Sequence, residues 1–222
     1  MKRIFFILSI VLNVFLISVF AYKKYNNWFE NEALKLPFRT SIFNAAPKAD
    51  GLTYFVGDSH TEGFELNEYL NDPKVRNRGI WGDNSSSVLK RIDSVATLKP
   101  DKIFLMIGVN DILSGKSVEN TFDNVTRTVE KIQSESPSTA IYLQSVLPTN
   151  NPILHSDSTA TSAILRLNIK YKSLENKAKL KFINLYPAFV ENGGLKKELN
   201  YDGLHLTGKG YVLWSSLIKR YL

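Results

Sequence analysis

A serine hydroxyl is a weak nucleophile near neutral pH, so a serine that does chemistry needs an imidazole to take its proton and a carboxylate to orient that imidazole. Ser59 is placed to have both. It closes the stretch Leu52-Thr53-Tyr54-Phe55-Val56-Gly57-Asp58-Ser59, an apolar run ending in a glycine where a helix can begin. Read as a buried parallel strand, the run delivers Ser59 to the carboxyl edge of a sheet, where open α/β sheets bind their ligands.

The chain has three histidines. His60 adjoins Ser59, and neighbouring residues at a strand-to-helix turn point in different directions, so it reads as a helix-start residue or a pocket wall. His155 lies in the turn-rich Pro148-Thr149-Asn150-Asn151-Pro152-Ile153-Leu154-His155-Ser156 and reads as an exposed loop histidine, substrate contact being the lesser reading. His205 differs: in Tyr201-Asp202-Gly203-Leu204-His205-Leu206-Thr207, Asp202 lies three residues upstream, so one loop can carry a base and its orienting carboxylate. Helix capping by Asp202 or Thr207 is the bland alternative.

Attack on a carbonyl also needs donors for the negative oxygen that forms. Two stretches qualify. In Asn77-Arg78-Gly79-Ile80-Trp81-Gly82-Asp83, Gly79 lets a backbone N–H approach a substrate without side-chain interference. In Gly108-Val109-Asn110-Asp111, the Asn110 amide can donate. The Ser59 N–H makes a third donor, and a helix following Ser59 adds its dipole. Taken singly, a turn glycine and a loop asparagine usually only make turns.

The elements that must position these residues alternate. Strands are expected at 52–56, 74–78, 102–107, 140–146 and 181–185, and helices at 60–70, 85–97, 118–135, 160–179 and 207–221. Strands separated by helices imply right-handed crossovers and a parallel sheet covered on both faces, an α/β three-layer sandwich. Four strands are near-continuous Val, Ile, Leu and Phe, as doubly covered strands should be. Lys74-Val75-Arg76-Asn77-Arg78 is polar enough for an edge. The order 2-1-3-4-5 puts it there and sets the switch point beside Ser59.

Gly57-Asp58-Ser59-His60, Asn77-Arg78-Gly79-Ile80 with Gly82, Gly108-Val109-Asn110-Asp111 and Asp202-Gly203-Leu204-His205 resemble, in order and spacing, the four sequence blocks of the SGNH (GDSL-type) hydrolases. The resemblance runs from about Gly51 to the C-terminus and looks closest to the platelet-activating-factor-acetylhydrolase-like branch, which implies a flavodoxin-like sheet. It implies Ser59 as nucleophile, Asp202 and His205 completing a triad, and Ser59, Gly79 and Asn110 forming the oxyanion hole. Two positions depart from the usual pattern. His60 stands where leucine often follows the serine, and Val109 where threonine is common.

Composition narrows the rest. The 222 residues suit one ordinary domain, 51–222, preceded by 22–50 as a juxtamembrane linker and 1–21 as a membrane anchor or signal peptide. Behind Met1-Lys2-Arg3, the seventeen residues Ile4 to Phe20 carry no charge, which predicts an N-terminal apolar helix and membrane contact through residues 4–20. The absence of cysteine excludes disulfides, a thiolate nucleophile and thiolate metal sites. The formal charge of +7 is spread without a basic run, so nucleic acid is not expected as a partner. Dispersed histidines give no metal-ligand spacing, and no cofactor is required. Asp58 and Asp111 read as loop supports rather than a glycosidase carboxylate pair. Trp81 and Phe64 can line a pocket or pack a core.

The expectation is a serine esterase working through an acyl-enzyme and losing activity in acid, where the imidazole cannot accept a proton. Its substrate would be an O-acetylated carbohydrate or another short acyl ester outside the cytoplasm. A lysophospholipase or other lipid esterase, a silent glycan-binding module and acyl transfer to a sugar hydroxyl are the alternatives.

Overall fold

The computed structural model describes residues 2–150, 158–176 and 180–222, with the backbone alone at 2–8, 25–35, 158 and 176. It divides into two compact units, Met1–Ala46 and Pro47–Leu222. The first is one helix, α1 (Lys2–Ala45), with Pro37 inside it. Helix therefore continues through most of the segment expected as linker. Among the described residues no helix is long and apolar enough to cross a membrane. Side chains 4–8 of the apolar stretch lie outside those described.

The second unit runs β1 (Thr53–Gly57), α2 (Ser59–Glu62), α3 (Leu66–Leu70), β2 (Val75–Gly79), α4 (Ser85–Arg91), α5 (Asp93–Ala96), β3 (Lys102–Met106), α6 (Val109–Leu113), α7 (Val118–Glu135), β4 (Ala140–Gln144), α8 (Ser158–Ser173), β5 (Leu180–Ile183), α9 (Tyr186–Phe189), the short antiparallel pair β6 (Val190–Glu191) and β7 (Gly194–Leu195), and α10 (Gly208–Ile218). The five long strands form one parallel sheet in the order β2-β1-β3-β4-β5. All carboxyl ends consequently share one edge.

Side chains alternate across the sheet with period two, and each face has its own core. Tyr54, Val56, Ile103 and Leu105 pack with Val88, Ile92, Val125, Val129, Ile164 and Leu167 from α4, α7, α8 and the α4–α5 junction. Phe55, Phe104 and Met106 pack with Leu66, Leu70, Trp214 and Ile218 from α3 and α10. The register sets Phe55 opposite Phe104 and Phe104 opposite Tyr142. Their rings stack in a row across the sheet, with centroids 4.6 Å apart at both steps. On the other side of β1, the buried Arg78 of edge strand β2 lays its guanidinium 4.9 Å from the Tyr54 ring centroid. That contact lets a polar strand close a largely apolar sheet.

The expected helix 60–70 is two pieces. Asn77 Nδ2 donates to Thr61 O at 2.6 Å and Phe64 O at 3.0 Å, satisfying carbonyls that a continuing helix would have used. Helix α6, which begins directly after Gly108, has no counterpart among the expected helices.

A buried ion pair ties β1 to the loop after β2. Arg91 Nε donates to Asp83 Oδ2 at 2.7 Å, and its Nη2 donates to Gly57 O at 3.1 Å. The Ile80 N–H donates to the same Gly57 carbonyl at 3.0 Å. Burial pushes the Asp83 carboxyl up to about 6; Arg91 works against this, and the Asp58 and Glu62 charges add to it.

Two outcomes are expected. Phe104→Ala removes the middle ring of the stack from a fully buried site and should lower unfolding free energy by about 3–5 kcal/mol in urea titrations. Asp83 binds its proton more readily folded than unfolded, so its contribution to stability is full below the ordinary value of 3.8 and is lost as pH rises to about 6. Asp83→Asn should remove that part of the slope of unfolding free energy against pH; an unchanged slope would place the shift elsewhere.

Candidate active site

The site is assembled on the carboxyl edge from the ends of β1, β2 and β3 and the loop before α10. Asp58 caps α2, its Oδ1 accepting the His60 N–H at 3.0 Å, and Ser59 is the helix's first residue. The loop 200–207 brings His205 to it across the sheet, with Nε2 3.2 Å from Ser59 Oγ. On the ring's other side Nδ1 lies 2.8 Å from Asp202 Oδ2. A carboxylate can only accept, so Nδ1 carries the hydrogen and Nε2 turns its lone pair to the Ser59 hydroxyl.

Asp202 is fixed from below by backbone. Its Oδ1 accepts the Leu204 N–H at 3.0 Å and the His205 N–H at 2.8 Å. Partial burial pushes this carboxyl up, but the two N–H groups and His205 outweigh it and hold Asp202 below the usual carboxylate range. Trp81 covers the imidazole, its ring stacked on His205 with centroids 4.3 Å apart, and is itself 48% exposed. Phe64 lies deep in the core on the α3–α10 side.

The donors differ in part from expectation. Asn110 Nδ2 donates to Asp83 O at 2.8 Å, which sets the amide plane and leaves its second hydrogen for a ligand. Gly79 is otherwise employed: its N–H donates to Asn77 Oδ1 at 2.7 Å, and a Cβ there would fall 2.1 Å from Glu62 N. Glycine at 79 lets α2 pack against β2, so this residue is corrected from oxyanion donor to packing position. Gly82 is the other glycine of this turn. It adopts φ +81 between Trp81, stacked on His205, and Asp83, whose carbonyl holds Asn110. No hydrogen bond among the described residues engages its N–H. The signal was a glycine directly before Asp83 and the helix-capping Asn84, where a positive φ is expected. Because α2 is one turn, the dipole expected from a 60–70 helix shrinks to its first free N–H groups.

Buried side chains hold these loops together. Asp111 Oδ2 accepts the Ser85 N–H at 2.7 Å, and its Oδ1 accepts the Ser85 hydroxyl at 2.7 Å and Lys116 Nζ at 3.3 Å. The loop after β4 grips the 200–207 loop, Thr149 Oγ1 and the Asn150 N–H donating to Gly203 O at 2.9 and 2.8 Å. Asn168 of α8 pairs both ways with Val146, and Tyr171 donates to Ile107 O at 3.1 Å. Asp58 and Asp111 are each committed to a loop. His60 is buried and reaches Leu204 O, a contact that residue spacing gave no hint of. His155 lies outside the described residues. Among those described, no group of three or more His, Asp or Glu is placed to hold a metal ion.

An imidazole so oriented can take a serine proton, and N–H groups beside it can stabilise an oxyanion, which is the equipment of acyl transfer. Residues 55–213 match the sequence model of the GDSL-like lipase/acylhydrolase family. A Streptococcus pneumonia protein provisionally described as a platelet activating factor superposes with a TM-score of 0.79 at 29% identity, covering 91% of this chain and 98% of its own. A GDSL-like lipase from Bacteroides thetaiotaomicron VPI-5482 does so with a TM-score of 0.76 at 25% identity, covering 84% and 96%. The chain is also 25% identical over 161 residues, 72% of its length, to the N-acylneuraminate cytidylyltransferase of Streptococcus agalactiae serotype V, of which it covers 36%. It thus spans about a third of that curated relative. With a match over most of its length and a serine–imidazole–carboxylate chain inside it, this protein belongs to the GDSL-like lipase/acylhydrolase family.

Proposed function

We propose that the protein is a serine esterase that removes acetyl or other short acyl groups from a carbohydrate outside the cytoplasm. The observation that carries the chemistry is the Ser59–His205–Asp202 chain of contacts at 3.2 and 2.8 Å. Ser59 Oγ attacks the ester carbonyl carbon as its proton passes to His205 Nε2, and Asp202 stabilises the resulting imidazolium. The N–H groups of Ser59 and Gly82 and the Asn110 amide receive the oxyanion. As the tetrahedral intermediate collapses, the sugar oxygen leaves with the proton from His205. Water then attacks the acyl-enzyme by the same route, returning the proton to Ser59.

Two features support a carbohydrate. An exposed indole covering the imidazole offers a flat apolar face of the kind on which sugar rings rest. The streptococcal relative bears the name of a protein acting on an N-acylneuraminate, an acylated sugar acid. Attachment to a membrane is supported by the uncharged run Ile4 to Phe20 and by the exposure of Ile10, Val11, Leu12, Val14, Phe15, Leu16, Ile17 and Phe20 along α1.

Ser59→Ala should abolish turnover of p-nitrophenyl acetate by the full chain and its labelling by a fluorophosphonate. Full turnover in that variant would remove Ser59 as nucleophile. The wild type should prefer acetyl over long-chain p-nitrophenyl esters, whereas preference for long chains would turn the reading to a lipid esterase. Trp81→Ala should lower kcat/KM about tenfold more on an O-acetylated sugar than on p-nitrophenyl acetate, an estimate scaled from typical losses of aromatic contact energy. Equal losses on both would reduce Trp81 to a cover for His205.

A further inference from the structure

His60 follows the nucleophile and does not touch the reacting atoms, yet its ring is the side-chain link from the Ser59 turn to the backbone that carries His205. Nε2 lies 2.8 Å from Leu204 O, a carbonyl 144 positions away that can only accept, so Nε2 carries a hydrogen in either charge state. The ring is 2% exposed, and its other nitrogen lies 3.4 Å from Asp58 Oδ1. Its own backbone carbonyl accepts the Tyr211 hydroxyl at 3.1 Å, which holds this turn against α10. Burial works against charge on the ring, but the Asp58 carboxylate, the Leu204 carbonyl and the Asp202 charge outweigh it and raise the His60 pKa above 6.5.

The peptide between Leu204 and His205 is therefore gripped at both ends. Its C=O receives His60, and its N–H donates to Asp202 Oδ1 at 2.8 Å. A peptide is planar, so fixing both groups fixes the plane and with it the His205 Cα from which the side chain branches. The ring that must meet Ser59 Oγ at 3.2 Å hangs from that Cα through a single methylene. We propose that His60 is a positioning residue, a latch whose Nε2–H bond to Leu204 O sets the His205 imidazole in line with Ser59. This rests on the reading of Ser59 and His205 as the working pair.

The test uses the full chain with His60 replaced by Gln, Asn or Leu. Glutamine can present a donor N–H about where the imidazole Nε2–H lies; asparagine is too short to reach Leu204 O, and leucine has no donor. Rates are read at a temperature where circular dichroism shows every variant folded, which removes bulk destabilisation from the comparison. His60→Leu and His60→Asn should lower kcat/KM for p-nitrophenyl acetate and the rate of fluorophosphonate labelling together, by about tenfold to a hundredfold, the size expected for a misaligned reacting group. His60→Gln should stay within about threefold of wild type on the same scale. Wild-type rates for Leu and Asn, or Gln falling as far as Leu, would overturn the latch. Ser59→Ala serves as the control. If it is inactive while His60→Leu matches wild type, only the latch fails; if it retains turnover, the underlying reading fails.

Discussion

The hydrogen bond between His205 Nε2 and Ser59 Oγ joins positions 146 apart, and nothing local to either residue can produce it. What produces it is the common direction of five strands. A parallel sheet sends every strand's carboxyl end to one edge, so turns that follow different strands meet there however far apart they lie in sequence. The order β2-β1-β3-β4-β5 makes the edge asymmetric, because the chain leaves β1 toward one neighbour first and returns to its other side for β3. The turn after β1 thereby has the loop containing Gly82 on one side of it and the start of α6, with Asn110, on the other. The loop before α10 then needs only to reach over the same edge.

Direction alone does not deliver atoms to within a few tenths of an ångström, and the side chains used for that work are costly ones. Arg91 and Asp83 are both about 5% exposed and Asp111 is fully buried. Replacing such charges with apolar residues is often neutral or favourable for stability. Their retention here is explained by what they bridge: Arg91 connects the end of β1 to the loop of Gly82, and Asp111 connects the loop of Asn110 to the start of α4. An apolar contact would keep these loops close but would not set their rotation. The raised Asp83 carboxyl is the visible cost of placing charge where water is excluded.

The sheet was legible because doubly buried strands leave continuous apolar runs and the one polar run had to be an edge. Its five strands lie within a residue or two of their expected ranges. The residues of the Ser59–His205–Asp202 chain were legible too, since the chemistry demands a serine, an imidazole and a carboxylate and few candidates compete. By composition Gly79 fits an open turn, and only its contacts with Glu62 and Asn77 mark it as a packing glycine. The split of 60–70 into α2 and α3 was hidden for a similar reason. Asn77, in another strand, takes the carbonyls that a longer helix would have used. What pattern could not supply was, each time, a hydrogen bond between distant segments.

Hydrogen bonds to the backbone hold the groups of the site in place. Each reacting group is held through backbone: Asp202 by two N–H groups, Asn110 by the Asp83 carbonyl, and the 200–207 loop by bonds to the carbonyls of Gly203 and Leu204. Backbone partners do not change when side chains on the surface do, so the chemistry tolerates variation around it. Trp81 is secured by its backbone N–H, which donates to the Glu62 carboxylate, and by its ring stacking on His205. Substitution at this one position changes the exposed face, while the hydrogen bonds of Asp202, Asn110 and the 200–207 loop involve other residues. A site built this way can keep one reaction while the ester it accepts is reset by a few solvent-facing residues.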